Sequence, residues 1–184
     1  LSGANMSGAI LDQASIIRSL LVDANLKDAR LEATNLSQSD MRDAQFVNAF
    51  MNRARFRDSI LAGANLAKSS LVGANLIYAD LSHADLTRAD ISESRMSGAN
   101  LFAARLDNTR SIFVNMTHTN LSRADLTGSV LLASGLSGSD ISDANLSGAK
   151  LRGSQLNNSD LSGCILSEAD LTGANLYGAN LTGA

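Results

Sequence analysis

Hydrophobic and polar positions recur through the whole chain with a period of five. Every fifth residue from Leu1 to Leu181 is Leu, Ile, Met or Phe, with Ser111 the single exception. A second set, every fifth residue from Ala4 to Ala184, precedes these centres by two positions. It holds 22 Ala, 10 Ser, 3 Thr and Cys164, with Val114 its only larger member. Between the two sets Asn or Asp fills 19 of 36 positions, so the consensus is Ala-(Asp/Asn)-Leu-x-x. This period does not suit an α-helix, where successive centres would drift around the cylinder at about 100° per residue. In extended chain, residues two apart point the same way. The small residue and the centre therefore face inward together, and the Asn or Asp between them faces out. The two remaining residues must turn the chain. The last of them is Gly at 13 of 37 places and Asn or Asp at 8, residues that tolerate positive φ. The spacing predicts a short strand and a corner repeated in phase, a coil that stacks on itself.

Composition narrows the core. Pro and Trp are absent and only 4% of the 184 residues are aromatic, so the interior must be built from small and medium aliphatics. No run approaches the roughly 18 apolar residues that a membrane-spanning helix requires. The single cysteine, Cys164, excludes an internal disulfide and leaves the redox compartment open.

Stretches such as Ala74-Asn75-Leu76, Ala84-Asp85-Leu86, Ala169-Asp170-Leu171 and Ala174-Asn175-Leu176 carry a resemblance to the pentapeptide repeat family, and it covers the whole chain. The resemblance implies an all-β fold, a right-handed quadrilateral parallel β-helix with four pentapeptides and 20 residues per coil. One domain over residues 1–184 would then hold about nine coils and reach on the order of 44 Å at the strand spacing. Met41, Phe46, Met51 and Phe56, four consecutive oversized centres, would form one thick layer. Ser111 and Val114 break the pattern, so irregular geometry is expected over residues 107–116, with Ile112 or Phe113 turned inward. Type II turns, which need positive φ at their third residue, are expected at the glycine-rich corners from Gly128 to Gly183. Other turn types are expected from Tyr78 to Arg123, where Gly98 is the only corner glycine.

With 20 residues per coil the charges sort by side. The side of Leu21, Met41 and Leu61 carries Asp23, Asp40, Asp43, Asp80, Asp140, Asp143 and Asp160 against Arg42 and Arg123, a sum of −5. The side of Ile16 carries Arg18, Arg55, Arg57 and Arg95 against Asp58, a sum of +3. The side of Met6 sums to −1 and that of Leu11 to zero, which together give the net −3 of the chain. One branch of the family mimics duplex DNA and binds type II topoisomerases, conferring fluoroquinolone resistance. Duplex DNA carries about one charge per 1.7 Å, however, and seven carboxylates diluted by Leu20, Ile60 and Phe102 fall well short of that. Asp140 and Asp160 should stack with Asp143 nearby, a weak candidate cation cluster against the plainer reading of solvated carboxylates. Arg53, Arg55 and Arg57 straddle a corner and are expected to pair with acids such as Asp58 and Glu32. Among outward apolar residues, Ile10, Phe50 and Val130 share one column, and Ile17, Ile77, Tyr78 and Tyr177 share another side. Clusters of this kind mark partner surfaces.

Catalytic chemistry has no foothold. His83 and His118 fall at corners on different sides, with no carboxylate or cysteine placed to partner them, and Cys164 occupies an inward small-residue slot. The expectation is a non-catalytic, rigid scaffold for protein contacts, without cofactor, metal or nucleic acid. The pattern begins and ends in mid-phase, so a module of a larger bacterial protein of cyanobacterial type is expected, with end-to-end stacking through uncapped coils. The cytoplasm is the expected compartment, with the periplasm or thylakoid lumen as alternatives. The topoisomerase binder is the alternative function.

Overall fold

The computed structural model describes residues 1–184. It contains no helix, and none therefore long and apolar enough to cross a membrane. Parallel bridges join each outward residue between small slot and centre to the residue 20 positions on: Asn5 to Asn25, Ile10 to Arg30, Ser15 to Asn35, Leu20 to Asp40, and so to Asp160 with Asn180. One turn of the coil thus takes four pentads. Each pentad contributes one rung to one of four ladders, here called the Asn5, Ile10, Ser15 and Leu20 sides. The inward residues form a continuous core of 45 buried side chains from Leu21 to Cys164, so no element is left to pack separately. In the end coils the centres are less covered, Leu1 being 59% and Leu181 40% exposed.

The backbone satisfies itself in a fixed pattern. In the Met6 pentad the centre donates its N–H to Asn25 O at 2.7 Å, and the corner residue Gly8 donates to Lys27 O at 2.8 Å. Asn25 N–H donates back to Ala4 O at 2.9 Å, and Ala9 N–H closes the corner on Met6 O at 3.0 Å. One N–H per pentad, that of the residue after the centre, has no backbone partner in this scheme. The Asn or Asp before the centre takes it: all 19 of these side chains accept that N–H two residues on, from Asn5 with Ser7 to Asn180 with Thr182. This Asx bond explains the consensus polar residue more fully than its outward direction does. Where Arg30 or Ser70 replaces it, the previous coil supplies the acceptor, Asp12 Oδ1 for Glu32 N–H and Asn52 Oδ1 for Val72 N–H.

Small-slot hydroxyls cross between coils as well. Ser39 Oγ sits inside the Ile16–Ser19 corner, accepting from Ser19 N–H at 3.0 Å and donating to Ile16 O at 2.8 Å. Ser139 does the same at Met116–Thr119, with 3.3 Å and 2.6 Å. In both corners the ordinary closing bond is absent, because the hydroxyl of the next coil has replaced it.

Two expectations require correction. Every corner from Gly3 to Gly183 has positive φ at its third residue, whatever its type, including Tyr78 (58°), His83 (59°), Glu93 (60°), Ala103 (52°) and Phe113 (57°). The non-glycine corners between Tyr78 and Arg123 therefore keep the type II signature. The N–H of that residue is held by the adjacent coil, as Tyr78 N–H is by Ser97 O at 3.2 Å, and this register outweighs a left-handed cost of about 1–2 kcal/mol per residue. The second correction concerns residues 107–116, which keep phase and register through Arg110↔Val130 and Asn115↔Gly135. Ser111 stays inward at 0% exposure and donates to Thr109 Oγ1 at 3.2 Å, while Phe113 stays outside, 64% exposed. The disturbance is limited to a missing closing bond at the Ser111–Val114 corner, where Ser111 O accepts from Ser134 Oγ instead.

The thick layer is present. Met41, Phe46, Met51 and Phe56 are all fully buried, and the two rings, contributed by opposite sides, meet edge to face with centroids 6.4 Å apart.

Candidate protein-contact surfaces

The ladders decide which outward residues can act together. On the Ile10 side, Ile10 (71% exposed) and Phe50 (58%) stand one rung on either side of Arg30, whereas Val130 lies four rungs beyond Phe50 and is half-buried. On the Ser15 side, Arg57 lies over the Tyr78 ring, 5.5 Å from its centroid. Tyr78 in turn lies over Gly98, where a Cβ would meet its Cε1 at 2.5 Å. Ile77 is half-buried beside it, and Ile17 and Tyr177 lie three and five coils away. The seven apolar candidates thus form two small groups and separate single residues.

Charged groups are likewise divided. Of the arginine trio only Arg57 pairs, with Asp58 Oδ2 at 3.2 Å; Arg53 leans along the Gly73 corner and Arg55 has no carboxylate partner. The expected pairing of the trio therefore holds for one member.

On the Leu20 side Asp140 and Asp160 are bridged neighbours as expected. Asp140 Oδ1 accepts from Ser142 N–H at 3.0 Å and Ser142 Oγ at 2.6 Å. Asp160 Oδ1 accepts from Ser162 N–H at 2.9 Å and Asn180 Nδ2 at 3.0 Å. These bonds, the Ser162 backbone first, hold the Asp160 carboxyl below its ordinary range. Asp143 faces Arg123 Nε at 4.0 Å instead. No three His, Cys, Asp or Glu side chains converge anywhere to hold a metal.

His83 packs edge to face on Phe102 at 5.4 Å, and Arg123 covers the same ring at 5.9 Å. His118, on the Ser15 side, lies over Gly138. Cys164 is 3% exposed and its thiol donates to Ile141 O at 2.9 Å. Burial pushes its pKa up to about 11, which leaves it protonated and inert at neutral pH.

One concavity breaks the outline of the rod, a notch of about 240 Å3 on the Ile10 side lined by Asp12, Arg30, Glu32, Phe50 and Asn52. Arg30 reaches across to the coil before it and pairs with Asp12 Oδ2 at 2.7 Å, with Phe50 on the other side of the notch. Phe50 was identified from the sequence; its neighbours were not. The available signal was an arginine between two apolar rungs with an acid 18 positions earlier.

Comparisons with known proteins agree with this geometry. The chain resembles HetL, a pentapeptide repeat protein of heterocyst differentiation regulation from the cyanobacterium Nostoc sp. strain PCC 7120. Identity is 28% over 96% of this chain and 86% of that one, with a TM-score of 0.41. It also resembles Rfr23 from the cyanobacterium Cyanothece 51142, at 33% identity over 53% of this chain and 63% of that one, with a TM-score of 0.45. Full-length QnrB1, a plasmid-mediated fluoroquinolone resistance protein, shares the fold with a TM-score of 0.65 at 18% identity, over 97% of this chain and 89% of that one. Comparison of the sequence with curated proteins finds no match. The Pentapeptide repeats family matches in eight copies, over residues 1–38, 19–58, 61–93, 94–131, 134–167 and 149–184. With its five-residue phase, its 20-residue bridges and these matches, the chain belongs to the pentapeptide repeat family.

Proposed function

We propose that the chain is a rigid, non-catalytic scaffold that binds other proteins along its outer sides, as a right-handed quadrilateral rod of about nine coils. The observation that carries this reading is the uninterrupted core from Leu21 to Cys164. The interior is filled with aliphatic side chains, so chemistry and recognition are confined to outward rungs held at fixed spacing. The notch of about 240 Å3 is smaller than the roughly 300–1,000 Å3 of ordinary small-molecule sites. A cyanobacterial type of protein accords with the relatives from Nostoc and Cyanothece, and membership of a larger chain is part of the proposal.

Photocrosslinking side chains at Phe50, Tyr78, Tyr177 and Asp160, one rod variant each, test the reading in an extract of the source organism. The expected result is one reproducible protein adduct confined to one side and lost on charge reversal of its neighbours. Equal or absent adducts from all four positions would sink it. The topoisomerase reading is tested by a gyrase supercoiling assay, where inhibition or quinolone protection at micromolar rod would put it first. Its support is the acidic Leu20 side, whose Asp residues each give one oxygen to an Asx bond wherever they hold a rung.

A further inference from the structure

We propose that the notch on the Ile10 side is a socket for an arginine side chain of a protein partner, a contact that rests on the scaffold reading and gives it a location. One ion pair lies in the wall of the notch. Rungs on a ladder are about 4.8 Å apart, and Arg30 holds the rung between Ile10 and Phe50. Its guanidinium reaches Asp12 Oδ2 at 2.7 Å, and Asp12 Oδ1 is already held by Glu32 N–H at 2.9 Å. Asp12 is thereby spent. Asn52 Oδ1 is spent too, accepting from Ser70 Oγ at 2.6 Å and Val72 N–H at 3.1 Å.

Asn52 Nδ2 and the remaining N–H groups of Arg30 keep open donors, and two groups in the notch are free to receive a cation. The Glu32 carboxylate is exposed and has neither a hydrogen bond nor an ion pair, and the Phe50 ring is 58% exposed. An unpaired carboxylate beside an open aromatic face calls for a cation with a flat or apolar surface. A guanidinium stacks on the ring while it donates in-plane to the carboxylate, which a compact ammonium does less well. The charges lining the notch, Asp12 and Glu32 against Arg30, leave one net negative charge for the incoming cation. At about 240 Å3 the space suits one long side chain rather than a cofactor.

The test is an NMR titration of the full chain with N-acetyl-arginine methylamide, using the citrulline analogue as an uncharged isostere. The expected result is saturable shifts in the millimolar range confined to amides around Glu32, Phe50 and Asn52, with none from citrulline. Glu32→Gln and Phe50→Ala should each weaken binding at least fivefold while leaving the melting temperature within a degree or two, because both side chains are on the surface. Shifts spread along the rod, shifts of equal size from citrulline, or unchanged binding in Glu32→Gln would each overturn the proposal. Those outcomes leave the scaffold reading standing, since crosslinking from Tyr78, Tyr177 or Asp160 tests it on other sides.

Discussion

Asparagine and aspartate hold their place before each centre because a backbone N–H two residues on has no other partner. At the residue scale this predicts that Asn120→Ala costs about 1–2 kcal/mol in urea unfolding. The substitution removes the bonds accepted from Ser122 N–H (3.0 Å) and Ser122 Oγ (2.6 Å) and the bond from Asn120 Nδ2 to Asn100 Oδ1 (3.1 Å). The same logic runs in reverse at Ala133, held at φ 50° where Cβ is unwelcome. Ala133→Gly should raise stability by roughly 0.5–1 kcal/mol, a sign opposite to that of glycine substitutions in helices. Asp40, Asp160 and Asp170 are held below the ordinary carboxylate range, by Arg42, by Ser162 and by Thr172 respectively. A lowered folded pKa contributes stability above the unfolded value of about 3.9, and that stability is lost as pH falls from there through the folded value. The melting temperature should therefore be flat between about pH 5 and pH 8 and fall below about pH 4, with a shallower fall in Asp160→Asn.

At the scale of the pentad, the corner and the rung, the five-residue phase was legible in full. The inward positions of the small residue and the centre follow from the spacing alone, while the layer of Phe46 and Phe56 needed the 20-residue coil that the family resemblance implies. Turn chemistry was not legible, because the conformation of each corner is imposed by the coil beside it. Tyr78, Glu93 and Phe113 adopt positive φ for the sake of a hydrogen bond 19 residues away in sequence. The Ser139 latch was hidden for the same reason: Ser and Ala fill the slot alike, and only the stack reveals which hydroxyl reaches the previous corner. Ser139→Ala should cost no more than about 1 kcal/mol in urea unfolding, since the ordinary bond from Thr119 N–H to Met116 O can close once the hydroxyl is gone. The notch was half legible, Phe50 from its exposure and Arg30 only from its pairing with Asp12.

At the scale of the whole molecule the rod is a stack in which each layer touches only its neighbours, so a defect in one layer is felt by those above and below. Phe46→Ala should cost about 3–5 kcal/mol, because the cavity opens where two rings span the tube and no loop can collapse into it. Denaturant melts followed by amide exchange would check this, and loss of protection should appear first around that layer.

The 20-residue register makes length a quantity that changes only in steps. Excising residues 81–100 joins Asp80 to Leu101, removes one storey and leaves every later side chain above its old neighbours. Excising residues 81–85 keeps the interior equally intact but turns everything after it by a quarter. Asp140 and Asp160 then swing round onto the face that carries Arg18, Arg55 and Arg57. Growth and shrinkage by whole turns preserve what the exterior displays, while smaller multiples of five reshuffle it without disturbing what holds the column up.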